Sequence, residues 1–160
     1  MYQRILLAYD GSIEGRLALR EGALLARRCG ARIFLLSIVA GTRGLQIAEA
    51  VQAGCIARGE ETYKAVLQEG IARLKALGFD PVAKLVTGEP GREIAAFASE
   101  VRADLVIVGH RKQGALSRWW SGSTGAYLTD QISCSVLFSR SIIDDEAFQI
   151  EAQMLREPAL

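Results

Sequence analysis

Two glycine-bearing turns and three cations lie between Asp104 and Gly125, the part of the chain best suited to hold an anion. A buried strand, Leu105–Val108, is predicted to end at Gly109, where the missing Cβ lets a ligand approach the backbone. The Gly-Ser-Thr-Gly turn at 122–125 then begins a helix, whose N–H groups and dipole favour negative charge. The loop between the turns carries Arg111, Lys112 and Arg118. This pattern predicts a site for phosphate.

Each part of this predicted site also has a purely structural interpretation. The three cations are equally consistent with solvated loop charges. Ser123 and Thr124 either donate hydroxyl and N–H groups to phosphates or cap the helix that follows Gly122. We favour phosphate binding because the cations lie between the two halves of one predicted anion site.

A second group of candidate residues lies where the first predicted strand ends, at Ala8, Tyr9 and Asp10. The carboxyl ends of parallel strands share one edge of a sheet, and ligands bind there at a switch point. Asp10 either hydrogen-bonds a bound ligand, or accepts from backbone N–H groups and caps the helix at Ser12. Val108 is expected to pack against the same ligand.

The residue sets that catalysis requires are missing from the sequence. His110 is the single histidine, and no Ser/His/Asp set or cluster with zinc-ligand spacing accompanies it. No GxGxxG follows the first predicted strand, which argues against dinucleotide redox chemistry. We therefore predict a protein that is not an enzyme; a slow ATPase or an adenylate-forming protein is the catalytic alternative.

Composition points to one globular domain without an extended charged surface. The 160 residues are 50% hydrophobic and 23% charged, and 19 Lys and Arg balance 18 Asp and Glu. Such a balance predicts neither nucleic-acid nor membrane partners, and no apolar run is long enough to span a bilayer. The three cysteines form no CxxC pair, which is typical of reduced thiols in a cytoplasmic protein.

Short apolar runs alternate with amphipathic segments along the chain. This order predicts parallel strands joined by right-handed helical crossovers, hence an open Rossmann-like α/β sheet with helices on both faces. The predicted strands are 4–9, 32–39, 82–86, 105–108 and 135–138, and the predicted helices are 14–28, 63–77, 90–100 and 122–132. Residues 39–59 and 144–160 are ambiguous; the latter have the pattern of a short amphipathic helix that packs on a partner.

Four of these segments resemble, in order, the motifs of the universal stress protein family: Ile5–Ser12, Val86–Ile94, Ala103–His110 and Trp120–Ser123. The resemblance covers about residues 3–139, so we divide the chain into a domain of residues 1–140 and an extension of residues 141–160. It implies a five-stranded parallel sheet in a three-layer sandwich. It also implies a homodimer formed through the last strand, Ser135–Phe138, and a cytoplasmic stress role without established catalysis.

The resemblance further implies an adenine-nucleotide site, with ATP as the ligand and Mg²⁺ as its possible companion. Gly109 and the Gly122-Ser123 pair match the first and last parts of the ATP motif, and Ile38 matches the position that touches adenine. Lys112, however, replaces the central glycine. Because Gly122, Ser123 and Thr124 are intact, we favour ATP binding. The alternative is a nucleotide-free interaction protein in which Lys112 occupies the phosphate site.

Overall fold

The computed structural model describes residues 1–40, 55–109, 130–140 and 145–154. Within them the chain alternates strands and helices as the apolar pattern predicts. The elements are β1 (Arg4–Ala8), α1 (Ile13–Cys29), β2 (Arg32–Ala40), α2 (Cys55–Ala76), β3 (Val82–Gly88), α3 (Pro90–Glu100), β4 (Leu105–Gly109), β5 (Ser135–Ser139) and α4 (Asp145–Met154).

All strand pairs are parallel, and the strands follow one another across the sheet in the order β3-β2-β1-β4-β5. The predicted fold, an open five-stranded α/β sheet, is confirmed. The order reverses direction between β1 and β4, which makes their carboxyl ends the switch point of the sheet. In the register, Ala8 lies between Leu36 of β2 and Val108 of β4.

Alternating residues of the strands build two cores, one on each face of the sheet. Ile5 and Leu7 of β1, and Tyr9 just after it, pack under α1 and α2, whereas Leu6 and Ala8 face the side of α3. All five residues of β4 are buried. Burial on both faces explains why the strands read as continuous apolar runs rather than as alternating ones.

The ends of α1 follow from its flanking residues. The Ser12 side chain accepts a hydrogen bond from the Gly15 N–H and caps the start of the helix. Gly30 adopts a left-handed conformation, with φ 63°, and its N–H bonds back to the last turn. Glycine adopts this conformation without the steric cost of a Cβ.

Two sequence predictions need correction or completion. Helix α2 begins at Cys55, eight residues before the predicted start at Tyr63, and therefore includes Gly59. Of the helix predicted over 122–132, residues 130–132 are described; 130 and 131 are helical and 132 is not. The ambiguous residues 41–54 lie outside the described residues.

Helix α4, beyond the last strand, packs on its own chain. Phe148 is 4% exposed and contacts Leu24 of α1 and Leu77, just after α2. The guanidinium carbon of Arg20 lies 4.9 Å from the centre of the Phe148 ring. Among the described helices, none has the length and apolar run that a membrane crossing requires.

Candidate functional site

A cleft opens at the switch point, where the carboxyl ends of β1 and β4 meet. The space within it measures about 410 Å³, including the part open to solvent. The residues that line it come from strand ends, the first turn of α1 and one side of α3: Ala8, Tyr9, Asp10, Ser12, Gly15, Leu36, Ile38, Ile94, Val108 and Gly109. Open α/β sheets bind their ligands at this position.

One wall of the cleft is apolar. Leu36, Ile38 and Val108 share the face of the sheet that α3 covers, and Ile94 of α3 completes the surface. These four side chains are at most 8% exposed, so packing against their neighbours holds them in place. Such a wall suits a flat, weakly polar ring, which replaces water there without leaving a polar group unpaired.

The opposite wall is the polar turn that starts α1. Asp10 Oδ1 accepts hydrogen bonds from the Ser12 N–H at 3.0 Å and the Ser12 hydroxyl at 2.5 Å. Ser12 Oγ in turn accepts from the Gly15 N–H at 2.9 Å. Asp10 therefore organises the helix start, as one of its two predicted roles requires. The helix begins directly at the cleft, which favours an anionic ligand group.

Gly109 packs against the first turn of α1. A Cβ at Gly109 would lie 2.7 Å from the carbonyl oxygen of Glu14 and 3.0 Å from the Gly15 nitrogen. Both contacts are with backbone atoms, which a side-chain rotation cannot relieve. The requirement for glycine thus has a cause within the protein, in addition to the ligand approach that the sequence suggested.

A polar cluster lies behind the cleft, between α1 and α2. The Tyr9 hydroxyl donates to Glu69 Oε2 at 2.9 Å. Glu69 Oε1 pairs with Arg16 at 2.9 Å and with Arg73 at 2.8 Å. The Tyr9 ring is buried, and the Ser37 hydroxyl donates to the Tyr9 carbonyl at 2.8 Å. The cluster ties the end of β1 to both helices.

Ionisation in this cluster follows from burial and from the paired charges. Burial raises the pKa of the Tyr9 hydroxyl; the hydrogen bond with Arg16 opposes that effect, and Glu69 adds to it. Burial alone would raise the pKa of Glu69, but hydrogen bonds from Arg73 and Tyr9, together with the charge of Arg16, lower it. Glu69 is therefore held as a carboxylate and Tyr9 as a neutral hydroxyl.

The structure brings together six of the residues that the sequence proposed for binding: Ala8, Tyr9, Asp10, Ile38, Val108 and Gly109. The remaining five lie outside the described residues: Arg111, Lys112, Gly122, Ser123 and Thr124.

Sequence reasoning missed Leu36 and Ile94 because a residue that lines a cleft has the same apolar pattern as a core residue. It also missed Ser12 and Gly15 as cleft residues. Within the described ranges, no three His, Cys, Asp or Glu side chains group as metal ligands do.

The strand order and the cleft at its switch point define a doubly wound α/β protein. The sequence profile of the universal stress protein family matches residues 1–140, and the chain belongs to that family. The universal stress protein in the QAH/OAS sulfhydrylase 3′ region of Thermus aquaticus is 29% identical over 144 residues, covering 88% of this chain and 100% of that one. The universal stress protein A homolog of Haemophilus ducreyi is 33% identical over 121 residues, covering 70% and 79%.

Solved structures of the family share the fold. Universal stress protein UspA from Lactobacillus plantarum superposes with a TM-score of 0.72 at 22% identity, covering 87% of this chain and 98% of that one. A universal stress protein in complex with cAMP superposes with a TM-score of 0.60 at 24% identity, covering 87% of this chain and 97% of that one. A family member from Arabidopsis thaliana with AMP bound superposes with a TM-score of 0.62 at 17% identity, covering 88% of this chain and 93% of that one.

Proposed function

We propose that this chain binds an adenine nucleotide in the cleft between β1 and β4 and acts as a stress-response protein. The observation that carries the proposal is the pairing of an apolar wall with a helix start across one cleft. Leu36, Ile38, Ile94 and Val108 would contact the adenine ring, and the turn at Asp10 would face the ribose. Bound cAMP and AMP in two structural neighbours support an adenine ligand.

We further propose ATP, with Mg²⁺, as the natural ligand. The intact Gly122-Ser123-Thr124 sequence supports this choice, because a helix start offers N–H groups to the outer phosphates. Isothermal titration calorimetry with AMP and with Mg²⁺-ATP tests it. We expect a heat of binding with both ligands and a higher affinity for Mg²⁺-ATP than for AMP. Heat with AMP alone would contradict ATP as the ligand, and heat with neither would contradict nucleotide binding.

A matched pair of variants locates the ligand. Asn retains the capping oxygen of Asp, so Asp10→Asn keeps the helix start but removes its negative charge and one acceptor. We expect nucleotide affinity to fall about tenfold, the loss of one ribose hydrogen bond to a charged group. Asp80→Asn changes an exposed aspartate remote from the cleft and should bind nucleotide like the parent chain. Equal affinities for all three proteins would place the ligand elsewhere.

The nucleotide-free alternative depends on Lys112, which replaces the central glycine of the ATP motif. If the lysine occupies the phosphate site, Lys112→Gly should create ATP binding that the parent chain lacks. If the lysine contacts the phosphates instead, the same substitution should weaken ATP more than AMP. Calorimetry on this one variant separates the two functions.

We also propose that the protein is a cytoplasmic homodimer that uses β5 as its interface and carries out no catalysis. In the described sheet β5 is an edge strand, and edge strands offer unpaired backbone groups to a second chain. Sedimentation should give a dimer at micromolar concentration, and a monomer would contradict the interface. Phosphate release from ATP above the buffer rate, abolished by Ser123→Ala, would contradict the absence of catalysis.

A further inference from the structure

The amino edge of the sheet, opposite the cleft, carries two arginines stacked on one aromatic ring. Arg4 begins β1 and Arg32 begins β2, and the two residues are direct register partners. Their guanidinium carbons lie 4.9 and 5.7 Å from the centre of the Phe34 ring. Phe34 itself is only 3% exposed. The ring therefore fixes two positive charges next to each other.

A third arginine follows along the chain. Arg4 Nε donates to the carbonyl of Val101, the residue just after α3, and Arg102 follows Val101 directly. Arg102 is exposed, with φ 49°, and among the described residues it is the one non-glycine residue with positive φ. Left-handed backbone at the end of a helix favours glycine. An arginine here carries a conformational cost that a glycine would avoid.

Among the described residues, no carboxylate lies within ion-pair distance of these three guanidinium groups. None of Arg4, Arg32 and Arg102 belongs to an ion pair there. The nearby Asp104 instead accepts from two backbone N–H groups, those of Gln3 and Arg4. Like charges held together repel one another, and an external anion relieves that repulsion.

We propose that Arg4, Arg32 and Arg102, the amino-edge arginines, form a docking surface for an acidic segment of a protein partner. Guanidinium groups bind carboxylates through paired N–H donors, and arginine is enriched in protein interfaces. Val82, the register partner of Phe34, is 45% exposed and offers an apolar contact beside the charges. A single-stranded nucleic acid would stack its bases on an open aromatic face, and the two arginines cover Phe34.

The probe is a fluorescein-labelled hexaglutamate peptide, with binding followed by fluorescence anisotropy at low salt. We expect the Arg4→Gln/Arg32→Gln double variant to lose about tenfold in affinity and Arg32→Gln alone about threefold. Arg92→Gln removes the same charge from an exposed position on α3 and should lose less than about twofold. The circular dichroism spectrum and the AMP affinity of the Arg4→Gln/Arg32→Gln variant should match those of the parent chain, since the cleft lies at the other edge of the sheet.

Three outcomes would overturn the proposal. The first is that the parent chain does not bind hexaglutamate. The second is that Arg32→Gln and Arg92→Gln lose hexaglutamate affinity to the same extent. The third is tighter binding of a single-stranded DNA hexamer than of hexaglutamate, which would assign the surface to nucleic acid.

Arg102→Gly gives a test in which stability and binding move in opposite directions. Glycine should raise the Tm, because it adopts φ 49° without the steric cost of a Cβ. The same change should weaken hexaglutamate binding about threefold, because it removes one of three charges. A general loss of structure cannot produce this combination. An unchanged affinity would overturn the assignment of Arg102 to the surface.

Discussion

Gly109, the last residue of β4, lies so close to Glu14 in α1 that a Cβ would sit 2.7 Å from the Glu14 carbonyl oxygen. Gly109→Ala must therefore push the strand end away from the helix. Overpacking of this kind costs about 1–3 kcal/mol, and we expect the free energy of unfolding in urea to fall by that amount. The movement would also open the cleft at one of its lining residues.

Gly88, the last residue of β3, is the matched control for this substitution. A Cβ there would meet the Glu93 side chain, with its carboxylate oxygen at 2.5 Å. Unlike a backbone carbonyl, that side chain can rotate away. We expect Gly88→Ala to cost less than about 1 kcal/mol. An equal loss in both variants would show that the contact with Glu14 does not limit residue 109.

Tyr9→Phe tests the hydrogen bond that ties the cleft to α2. The substitution removes the hydroxyl that donates to Glu69 and leaves the carboxylate paired with two arginines. We expect a loss of about 1 kcal/mol of unfolding free energy, measured by chemical denaturation. Tyr2→Phe is the control, since the Tyr2 hydroxyl makes no hydrogen bond within the described ranges. A loss of the same size there would argue against a specific role for the Tyr9–Glu69 bond.

Glu69 should make stability depend on pH in the acid range. Its pKa in the folded protein lies below the ordinary value of about 4.3. The resulting stabilisation is complete above that ordinary value and is lost as the pH falls through the lower, folded-state pKa. We expect Glu69→Gln to lower the Tm at about pH 7, and we expect this difference to disappear as the pH falls through the folded-state pKa of Glu69. Glu61→Gln, an exposed change on the same helix, should show no such convergence.

Features that depend on local sequence were predictable. The central strands are apolar because the sheet is covered there on both faces, and the number and order of the five strands along the chain could be inferred. The helices predicted over 14–28 and 63–77 end just before Gly30 and Gly78, and both glycines have positive φ, at 63° and 85°. The position of the cleft also followed, since parallel strands that end together place Asp10 and Gly109 at one edge.

Features that depend on distant contacts were not predictable. The i, i+4 spacing of Glu69 and Arg73 is visible in the sequence, but their contacts with Tyr9 and Arg16 need the packed helices. The start of α2 was missed because residues 39–59 were ambiguous in the sequence, whereas α2 already includes Gly59 and tertiary packing overrides the weak helix preference of one glycine. Leu36 and Ile94 have the same pattern as core residues, so their cleft position required the sheet register.

Phe148 should anchor α4 to the rest of the chain. It is buried against Leu24 and Leu77, and a Phe→Ala change at a buried site costs about 3–5 kcal/mol when the whole domain must unfold. Because α4 is peripheral, we expect Phe148→Ala to release this helix first, which rapid proteolysis near residue 150 would report before any change in the main unfolding transition. Ile150→Ala alters a half-exposed residue of the same helix and should leave cleavage at the parent rate. If both variants are cleaved equally fast, Phe148 does not hold α4 in place.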